Sequence, residues 1–208
     1  MKNILLVDGL NLSRNILHDL IDSDREMHVV GEACQISEAI VKIRKEKVDV
    51  IVLDNSLPQK NGLETFCDIK QASPNVPVLV VSGSDEENAA LPFIRLGCQG
   101  YLSKDSGAEQ VLQAIKAIAT GQQYMIAHLK ERAAHCTSAG KAAHERLSAR
   151  EAQVFFKLIK GQSIGSIARE LAITSSSVSI FRAKILKKMH LKCNAELVHY
   201  ALHNHLIA

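Results

Sequence analysis

The chain has 208 residues, of which 47% are hydrophobic and 23% charged, and its formal net charge is +3. That length fits one large domain or two modest ones, and the apolar content excludes a disordered chain. No apolar run reaches the roughly 18 residues that a membrane span needs, and Asp8 interrupts the opening segment too early for a signal peptide.

Charge is distributed unevenly along the chain. Residues 1–120 contain 12 Lys and Arg against 17 Asp and Glu, a net charge of −5, whereas residues 121–208 contain 13 against 5, a net charge of +8. One folded unit rarely separates charge in this way. The separation therefore predicts two domains that face different partners.

The acidic part alternates short apolar runs with helical patterns. The runs are rich in Val, Ile and Leu, and they are short enough to predict strands that are covered on both faces. They lie at residues 4–7, 48–53 and 76–81, with weaker runs at 28–30 and 101–102. Apolar residues three and four apart predict helices over 12–21, 36–43, 63–69 and 111–119, and a capping box at Ser84 begins a further helix that contains Pro92. The alternation predicts an α/β fold with a doubly wound parallel five-stranded sheet over residues 1–121.

Polar residues follow four of the predicted strands. Ligands of such sheets bind beyond the carboxyl ends of the strands, so these side chains are expected to converge. They are Asp8, Asp54, Ser82 and Lys104. A single Asp at a strand end is usually a cap, but this set offers a carboxylate nucleophile, a second carboxylate for a cation, a hydroxyl and an ammonium. Those groups together suit the transfer of a phosphoryl group.

Four segments of the acidic part resemble the receiver domain of two-component response regulators. They are ILLVD at 4–8, DVIVLDNSLPQKNGLE at 49–64, VPVLVVSGSD at 76–85 and GYLSKD at 100–105. The resemblance covers residues 3–120 and implies that Asp54 is the phosphoacceptor and that Lys104 contacts the phosphoryl group. It makes Ser82 the switch hydroxyl and Tyr101 the switch aromatic, and it implies a sensor histidine kinase as the phosphodonor.

The same resemblance implies a Mg²⁺ site formed by Asp8, Asp54 and the carbonyl of Ser56, beside a loop shaped by Pro58 and Gly62. The family has a second acid at the end of the first strand, where this chain has Gly9. Losing that direct ligand is expected to weaken Mg²⁺ binding, because the ion demands near-octahedral oxygen ligation. Two hypotheses stay open. Either Asp54 is still phosphorylated, with weak metal binding, or the domain is a degenerate receiver controlled by dimerisation or by protein partners.

A second replacement lies after the switch hydroxyl, where Gly83 stands in place of the family's usual alanine, which is a lesser change.

Beyond the acidic part, residues 122–145 are mixed in composition. They are interpreted as a linker, with a helical stretch at 125–134.

Residues 146–208 show the pattern of four short helices. Ser148 with Glu151 forms a capping box, Gly161 ends that helix, and Ser163 and Thr174 cap the next two. The third helix covers 175–189, and a fourth runs from about 194 to 205. Short helices joined by tight turns are typical of an all-α helix-turn-helix domain.

Three segments of this basic part resemble the DNA-binding domain of LuxR and NarL-type regulators. They are LSAREAQVF, GQSIGSIARELAITSSSVSIFRAKILKKM and NAELVHYAL. The resemblance implies that the third helix enters the major groove of double-stranded DNA and that the last helix forms a homodimer. The base-reading positions fall on Ser179, Ile180 and Ala183, which cannot make bidentate contacts to guanine. Thymine methyl contacts, water bridges and DNA shape are then the expected sources of specificity.

The DNA-binding residues predicted on this helix combine small side chains with cations. They are Ser175, Ser176, Ser179, Ile180, Arg182, Ala183, Lys184, Lys187 and Lys188. A solvated charged face is the alternative, but the cations lie at the edge of a recognition helix in a domain of charge +8, which favours contact with phosphates. Lys184→Ala and Lys188→Ala are each expected to weaken binding to every sequence and to flatten its salt dependence.

The remaining chemistry-bearing residues support simpler interpretations. The five scattered cysteines indicate a reducing, cytoplasmic setting, and Cys34, Cys67 and Cys98 are interpreted as small core residues. His199 and His203 have metal-ligand spacing but are interpreted as surface histidines. A phosphatase using Asp54 is disfavoured because no acid follows two residues later. The prediction is a DNA-binding transcriptional regulator that is not an enzyme and has no membrane partner.

Overall fold

The computed structural model describes residues 1–57, 62–83, 90, 92–94, 96–125, 143–204 and 206. Its contacts divide the chain into two compact units, Met1–Ala139 and Gly140–Ala208. None of the helices in the described part of the chain is long and apolar enough to span a membrane. Pro58, the capping box at Ser84, most of the predicted linker and His205 lie outside the described residues.

The first unit is built on a parallel sheet of five strands, as predicted. The strands are β1 (Lys2–Val7), β2 (Met27–Ala33), β3 (Val50–Asp54), β4 (Val78–Ser82) and β5 (Gly100–Ser103). Their order is β2-β1-β3-β4-β5, with every neighbouring pair parallel. β3 and β4 are buried along their whole length, because Val, Ile and Leu fill both faces. The strand order reverses between β1 and β3, which is the place where doubly wound sheets bind ligands.

Four described helices of the first unit connect the strands. They are α1 (Asn11–Asp22), α2 (Ile36–Lys45), α3 (Gly62–Ala72) and α4 (Ala108–Ala119). One core cluster joins β1, β3 and β4 with Ile21 of α1 and Ile115 of α4. Ala90 and residues 92–94 are also helical, so Pro92 does lie in a helix.

The apolar stripe predicted on α1 is buried only at its end. Ile21 is fully buried and Leu17 packs on the core, whereas Leu12 and Ile16 are 74% and 59% exposed. Periodicity shows which residues share a face of a helix. It does not show how far the neighbouring elements extend along that face, so the exposed half could not be recognised from the sequence.

The second unit is all helical, as predicted. After a short 3₁₀ turn at Ala143–Arg146 it contains α5 (Ala149–Ile159), α6 (Ile164–Glu170), α7 (Ser175–Met189) and α8 (Asn194–His203). The side chains of Ser148, Ser163 and Thr174 accept backbone hydrogen bonds at the starts of α5, α6 and α7, which confirms the three predicted caps. Its core includes Phe155, Ile167, Val178, Ile185 and Leu197.

Candidate functional site

The carboxyl edge of the sheet brings the predicted polar residues together. Asp8 directly follows β1, Asp54 ends β3, and Lys104 directly follows β5. The Nζ atom of Lys104 lies 3.0 Å from Oδ2 of Asp54 and 3.9 Å from Oδ2 of Asp8. The backbone N–H of Lys104 donates to the carbonyl of Ser82, the last residue of β4, at 2.7 Å. The predicted convergence of these four residues is therefore present.

The two carboxylates of this pocket are buried. Asp8 and Asp54 are each 2% exposed, and only the Lys104 side chain reaches solvent, at 27%. Burial raises the pKa of Asp54, and the nearby charge of Asp8 acts in the same direction. The N–H of Ser56 and the ammonium of Lys104 oppose that rise. The N–H of Ser56 and the ammonium of Lys104 are therefore the groups that stabilise the charged form of Asp54.

Three of the four oxygens of the two carboxylates accept a hydrogen bond from the chain, and the fourth, Oδ2 of Asp54, has only the ion pair with Lys104. Asp8 accepts from the N–H of Leu10 at 2.7 Å and from the Ser13 hydroxyl at 2.6 Å. Oδ1 of Asp54 accepts from the N–H of Ser56 at 3.0 Å, and Oδ2 faces Lys104. Ser13 was not predicted from the sequence, although a hydroxyl in the first turn of the helix after Asp8 is a usable signal.

The residues at this edge do not fit a Mg²⁺ site well. Receiver domains typically bind Mg²⁺, but Gly9 offers no side-chain ligand here. In the described part of the chain no group of three or more His, Cys, Asp and Glu residues could hold a metal ion, and this includes the region of His199 and His203. Two carboxylates whose oxygens already face donors or an ammonium are a poor set of ligands.

Asn55, the residue after Asp54, lies against both Ser82 and Gly62, and it was not predicted from the sequence. Its amide lies 3.4 Å from the Ser82 hydroxyl. A Cβ atom at position 62 would lie 2.7 Å from the Asn55 carbonyl oxygen and would overlap the Asn55 amide, so only Gly62 fits. A Cβ at Gly83 would meet nothing within 4 Å, which agrees with the expectation of a lesser change there.

Tyr101 lies inside the first unit. It is 4% exposed, and its ring centroid is 6.0 Å from that of Phe93, which in turn packs edge-on against Phe66. The aromatic residue that the family resemblance assigns to the switch is therefore already packed in the core in this structure.

A chain of charged groups leads from the pocket to the surface. Arg14 donates to the carbonyl of Asp8 at 2.7 Å and to Glu32 at 2.9 Å, and Glu32 also contacts His18 at 2.6 Å. The hydrogen bond with Glu32 raises the pKa of His18. Arg14 and His18 lie on α1, and Glu32 lies on β2. No spacing in the sequence indicates that these three side chains meet.

Most residues predicted to bind DNA share the exposed surface of α7. Ser176, Ile180, Lys184 and Lys187 are exposed and recur at helical spacing, so they lie along one face. Ser175, Ser179, Ala183 and Lys188 are also exposed, whereas Arg182 is half-buried. The opposite face packs Val178, Ile185 and Met189 into the core.

Two of the predicted cations have partners within the second unit. Nζ of Lys188 lies 2.6 Å from Glu151, the capping-box residue of α5, and Arg182 donates to Asn194 at 2.7 Å. Burial opposes ionisation of Glu151, but the hydrogen bonds from Lys188 and Ser148 together outweigh it and lower the pKa of Glu151. Lys184 and Lys187 have no ion-pair partner among the described residues. The cations of α7 are therefore not equivalent.

The cysteines divide into two environments. Cys67 and Cys98 are buried, as expected, and burial raises the pKa of Cys98 to about 12. Cys34 is exposed, contrary to the expectation of a core position, because it lies in the connection between β2 and α2. The weak amphipathic pattern around Cys34 did not indicate whether its side chain would be buried or exposed.

Both parts of the chain match known families. Residues 4–116 match the response regulator receiver domain, and residues 145–201 match the bacterial regulatory proteins of the luxR family. The chain is similar to the response regulator UvrY of Escherichia coli K12, with 28% identity over 209 residues that cover 99% of this chain and 96% of UvrY. It is 32% identical to the nitrate/nitrite response regulator protein NarL of the same strain over 197 residues, which cover 93% of this chain and 91% of NarL.

A solved structure agrees with these sequence matches. It is a two-component response regulator of the LuxR family from Aurantimonas sp. SI85-9A1, which superposes with a TM-score of 0.59 at 29% identity. The superposition covers 64% of this chain and 95% of that one.

Proposed function

The chain belongs to the response regulators that carry a receiver domain and a LuxR-type helix-turn-helix, and from that premise we propose how its two parts act. It is a transcription factor that binds DNA through the helix-turn-helix, and it is not an enzyme. The domain boundaries proposed are 1–121 for the receiver, 122–145 for the linker and 146–208 for the DNA-binding domain. The receiver controls whether the DNA-binding domain, as a homodimer, grips its operator.

Asp54 is the residue that accepts a phosphoryl group in the first mode of control. A carboxylate oxygen of Asp54 attacks the phosphorus of the donor, and the bond between that phosphorus and the leaving group breaks. Lys104 then neutralises the phosphoryl oxygens, and the Ser82 hydroxyl donates to one of them. The observation that carries this proposal is the 3.0 Å contact between Lys104 and the buried Asp54.

An adduct on Asp54 tests this mode. The protein is incubated with acetyl phosphate, or with a beryllofluoride salt, at millimolar Mg²⁺. We expect a mass shift of one phosphoryl group with the first reagent, lost in Asp54→Asn and kept in the control Asp105→Asn, which changes an exposed acid. A folded protein that responds to neither reagent would exclude phosphorylation at Asp54.

A second candidate is a receiver that acts without phosphorylation, through dimerisation or a protein partner. Two observations favour it. Gly9 removes an acid from the pocket, and the Tyr101 ring is already packed in the core, which leaves no inward movement for a phosphoryl group to drive. In this mode the oligomeric state and the affinity for DNA are the same with and without a phosphodonor.

The proposed partners follow from the two surfaces. Double-stranded DNA contacts the exposed face of α7, where Ile180 is 56% exposed and suits a thymine methyl group. A second copy of the chain packs on α8, where Leu202 is 49% exposed. A sensor histidine kinase supplies the phosphoryl group in the first mode, and Mg²⁺ binds weakly at most.

A further inference from the structure

We infer that Lys104 holds the cation position of the Asp54 pocket, so that the receiver needs no divalent metal in its resting state. The first support is geometric. Of the four carboxylate oxygens of Asp8 and Asp54, three accept hydrogen bonds at 2.6–3.0 Å, and the fourth, Oδ2 of Asp54, is paired with the Lys104 ammonium at 3.0 Å. A metal ion would compete with Lys104 for Oδ2 of Asp54 and with Ser13 and Leu10 for the oxygens of Asp8.

Charge balance gives the second support. Two buried carboxylates and one ammonium leave a local charge of −1, and the Ser13 hydroxyl and two backbone N–H groups stabilise that remaining charge. A dication added beside Lys104 would reverse the local charge to +1 in a pocket where both carboxylates are 2% exposed. Uncompensated charge is costly at such a depth. The absence of an acid at Gly9 therefore agrees with a pocket in which Asp8 and Asp54 are already stabilised by groups of the chain.

Ser13 has a definite role in this arrangement. It lies in the first turn of α1, and its hydroxyl donates to the same Asp8 oxygen that lies 3.9 Å from Lys104. The backbone N–H of Asp8 donates to the carbonyl of Ala33, which holds the residue from the side of β2. Asp8 is thus a structural carboxylate that links β1 to α1, and Ser13 is the positioning residue that keeps it in this orientation.

Binding of Mn²⁺ to the full-length protein tests the inference, with free Mn²⁺ measured by electron paramagnetic resonance and no phosphodonor present. We expect no saturable binding to the wild type at millimolar Mn²⁺. Gly9→Asp should create a saturable site with affinity improved by about tenfold or more, and Gly9→Asp with Asp54→Asn should lose it. Saturable millimolar binding to the wild type that Asp54→Asn abolishes would overturn the inference.

Lys104→Met gives an independent measurement in case Gly9→Asp does not fold. Without the ammonium, the two carboxylates repel each other and a divalent ion becomes the available counter-charge. Mn²⁺ should then raise the melting temperature of Lys104→Met, because the ion binds the folded state, and should leave that of the wild type unchanged. Equal Mn²⁺ responses of the two proteins would contradict the role assigned to Lys104.

The inference refines the proposed function, and the two can fail separately. Mn²⁺ binding is measured without phosphorylation, so a wild type that binds no metal supports the inference whether or not Asp54 accepts a phosphoryl group. Saturable Mn²⁺ binding to a wild type that acetyl phosphate also modifies at Asp54 would overturn the inference and leave phosphorylation at Asp54 intact.

Discussion

At the scale of single residues, the pocket around Asp54 depends on buried charge. Asp54 is nearly inaccessible to solvent, and one ammonium, from Lys104, lies within 3.0 Å of it. A buried carboxylate with this surrounding is costly to ionise, since desolvation outweighs the bonds from Ser56 and Lys104 and raises its pKa. Ionisation of Asp54 therefore costs more in the folded protein than in the unfolded chain.

The pH dependence of unfolding follows from this raised pKa. The folded state binds the Asp54 proton more tightly than the unfolded state, whose carboxyl has the ordinary value of 3.8. The stability contributed by Asp54 is therefore fully present below pH 3.8 and is lost as the pH rises through the raised folded value. Asp54→Asn removes this loss, so the variant should be more stable than the wild type at neutral pH.

Urea unfolding across a pH series measures this effect. The difference between wild type and Asp54→Asn should shrink as the pH falls towards 3.8. Asp105→Asn, an exposed change in the adjoining turn, serves as the control and should show little pH-dependent difference. A difference for Asp54→Asn that does not vary with pH would show that the charge of Asp54 is not its cause.

Lys184 and Lys188 should respond differently to replacement by alanine. Lys184 has no ion-pair partner among the described residues, so Lys184→Ala should leave stability unchanged and reduce the slope of log affinity against log salt by about 1. Lys188 pairs with the buried Glu151, so Lys188→Ala should destabilise the second unit by about 1 kcal/mol and change the salt slope less.

The measurement combines DNA binding over a salt series with thermal unfolding of both variants. Lys188→Arg is the control for the charge of the pair, and it should retain most of the stability that Lys188→Ala loses. If both alanine variants reduce the salt slope equally and neither changes stability, the pair between Lys188 and Glu151 contributes nothing to the free energy of unfolding.

At the scale of elements, α7 depends on its first turn. The side chain of Thr174 accepts from the N–H of Ser177 at 3.1 Å, and three hydroxyls gather there because Ser176 and Ser177 also contact Thr174. α7 begins with exposed Ser175 and Ser176, so the cap also sets where the predicted DNA-binding surface starts. α1 shows the converse case, since it has no side-chain cap and leaves half of its apolar stripe exposed.

Removing the Thr174 cap should weaken both folding and DNA binding. Thr174→Ala should lower the free energy of unfolding by about 1 kcal/mol, because an N–H at the helix start loses its partner. Thr174→Ser keeps the hydroxyl and should be close to the wild type. Denaturant unfolding and DNA affinity are measured on both variants, and an alanine variant as stable as the serine variant would exclude a capping role.

At the scale of the whole molecule, the opposed charges of the two units correspond to two different tasks. The acidic part contains the sheet with the Asp54 pocket, and the basic part presents the exposed face of α7. The proposed homodimer also requires a surface between two copies. The exposed Leu202 on α8 is the apolar residue on which we place that surface.

Replacement of Leu202 tests the homodimer. Leu202→Glu should shift the protein to monomers and weaken binding to a two-half-site operator, because a charge cannot be buried against an apolar partner surface. Val41→Glu on α2 is a matched control, since Val41 is also 49% exposed. Analytical ultracentrifugation measures both variants, and an unchanged assembly of Leu202→Glu would place the dimer surface elsewhere.

The sequence by itself determined everything that local pattern and strand order can specify. Short apolar runs predicted the five strands, the hydroxyls of Ser148, Ser163 and Thr174 predicted three helix starts, and strand ends predicted that Asp54 and Lys104 meet. These features could be predicted because each depends on neighbours in the chain or on the regular geometry of a parallel sheet.

Only the tertiary structure decided which groups pair across elements. It placed Ser13 on Asp8, Lys188 on Glu151 and Arg14 on Glu32, and it left Leu12 exposed. Such contacts depend on the angle and reach of packed helices, which no periodicity encodes. The charge of −5 in the first part predicted an acidic domain. Whether its central pocket needs a metal ion depends on how two buried carboxylates are satisfied, and that is a property of the folded chain.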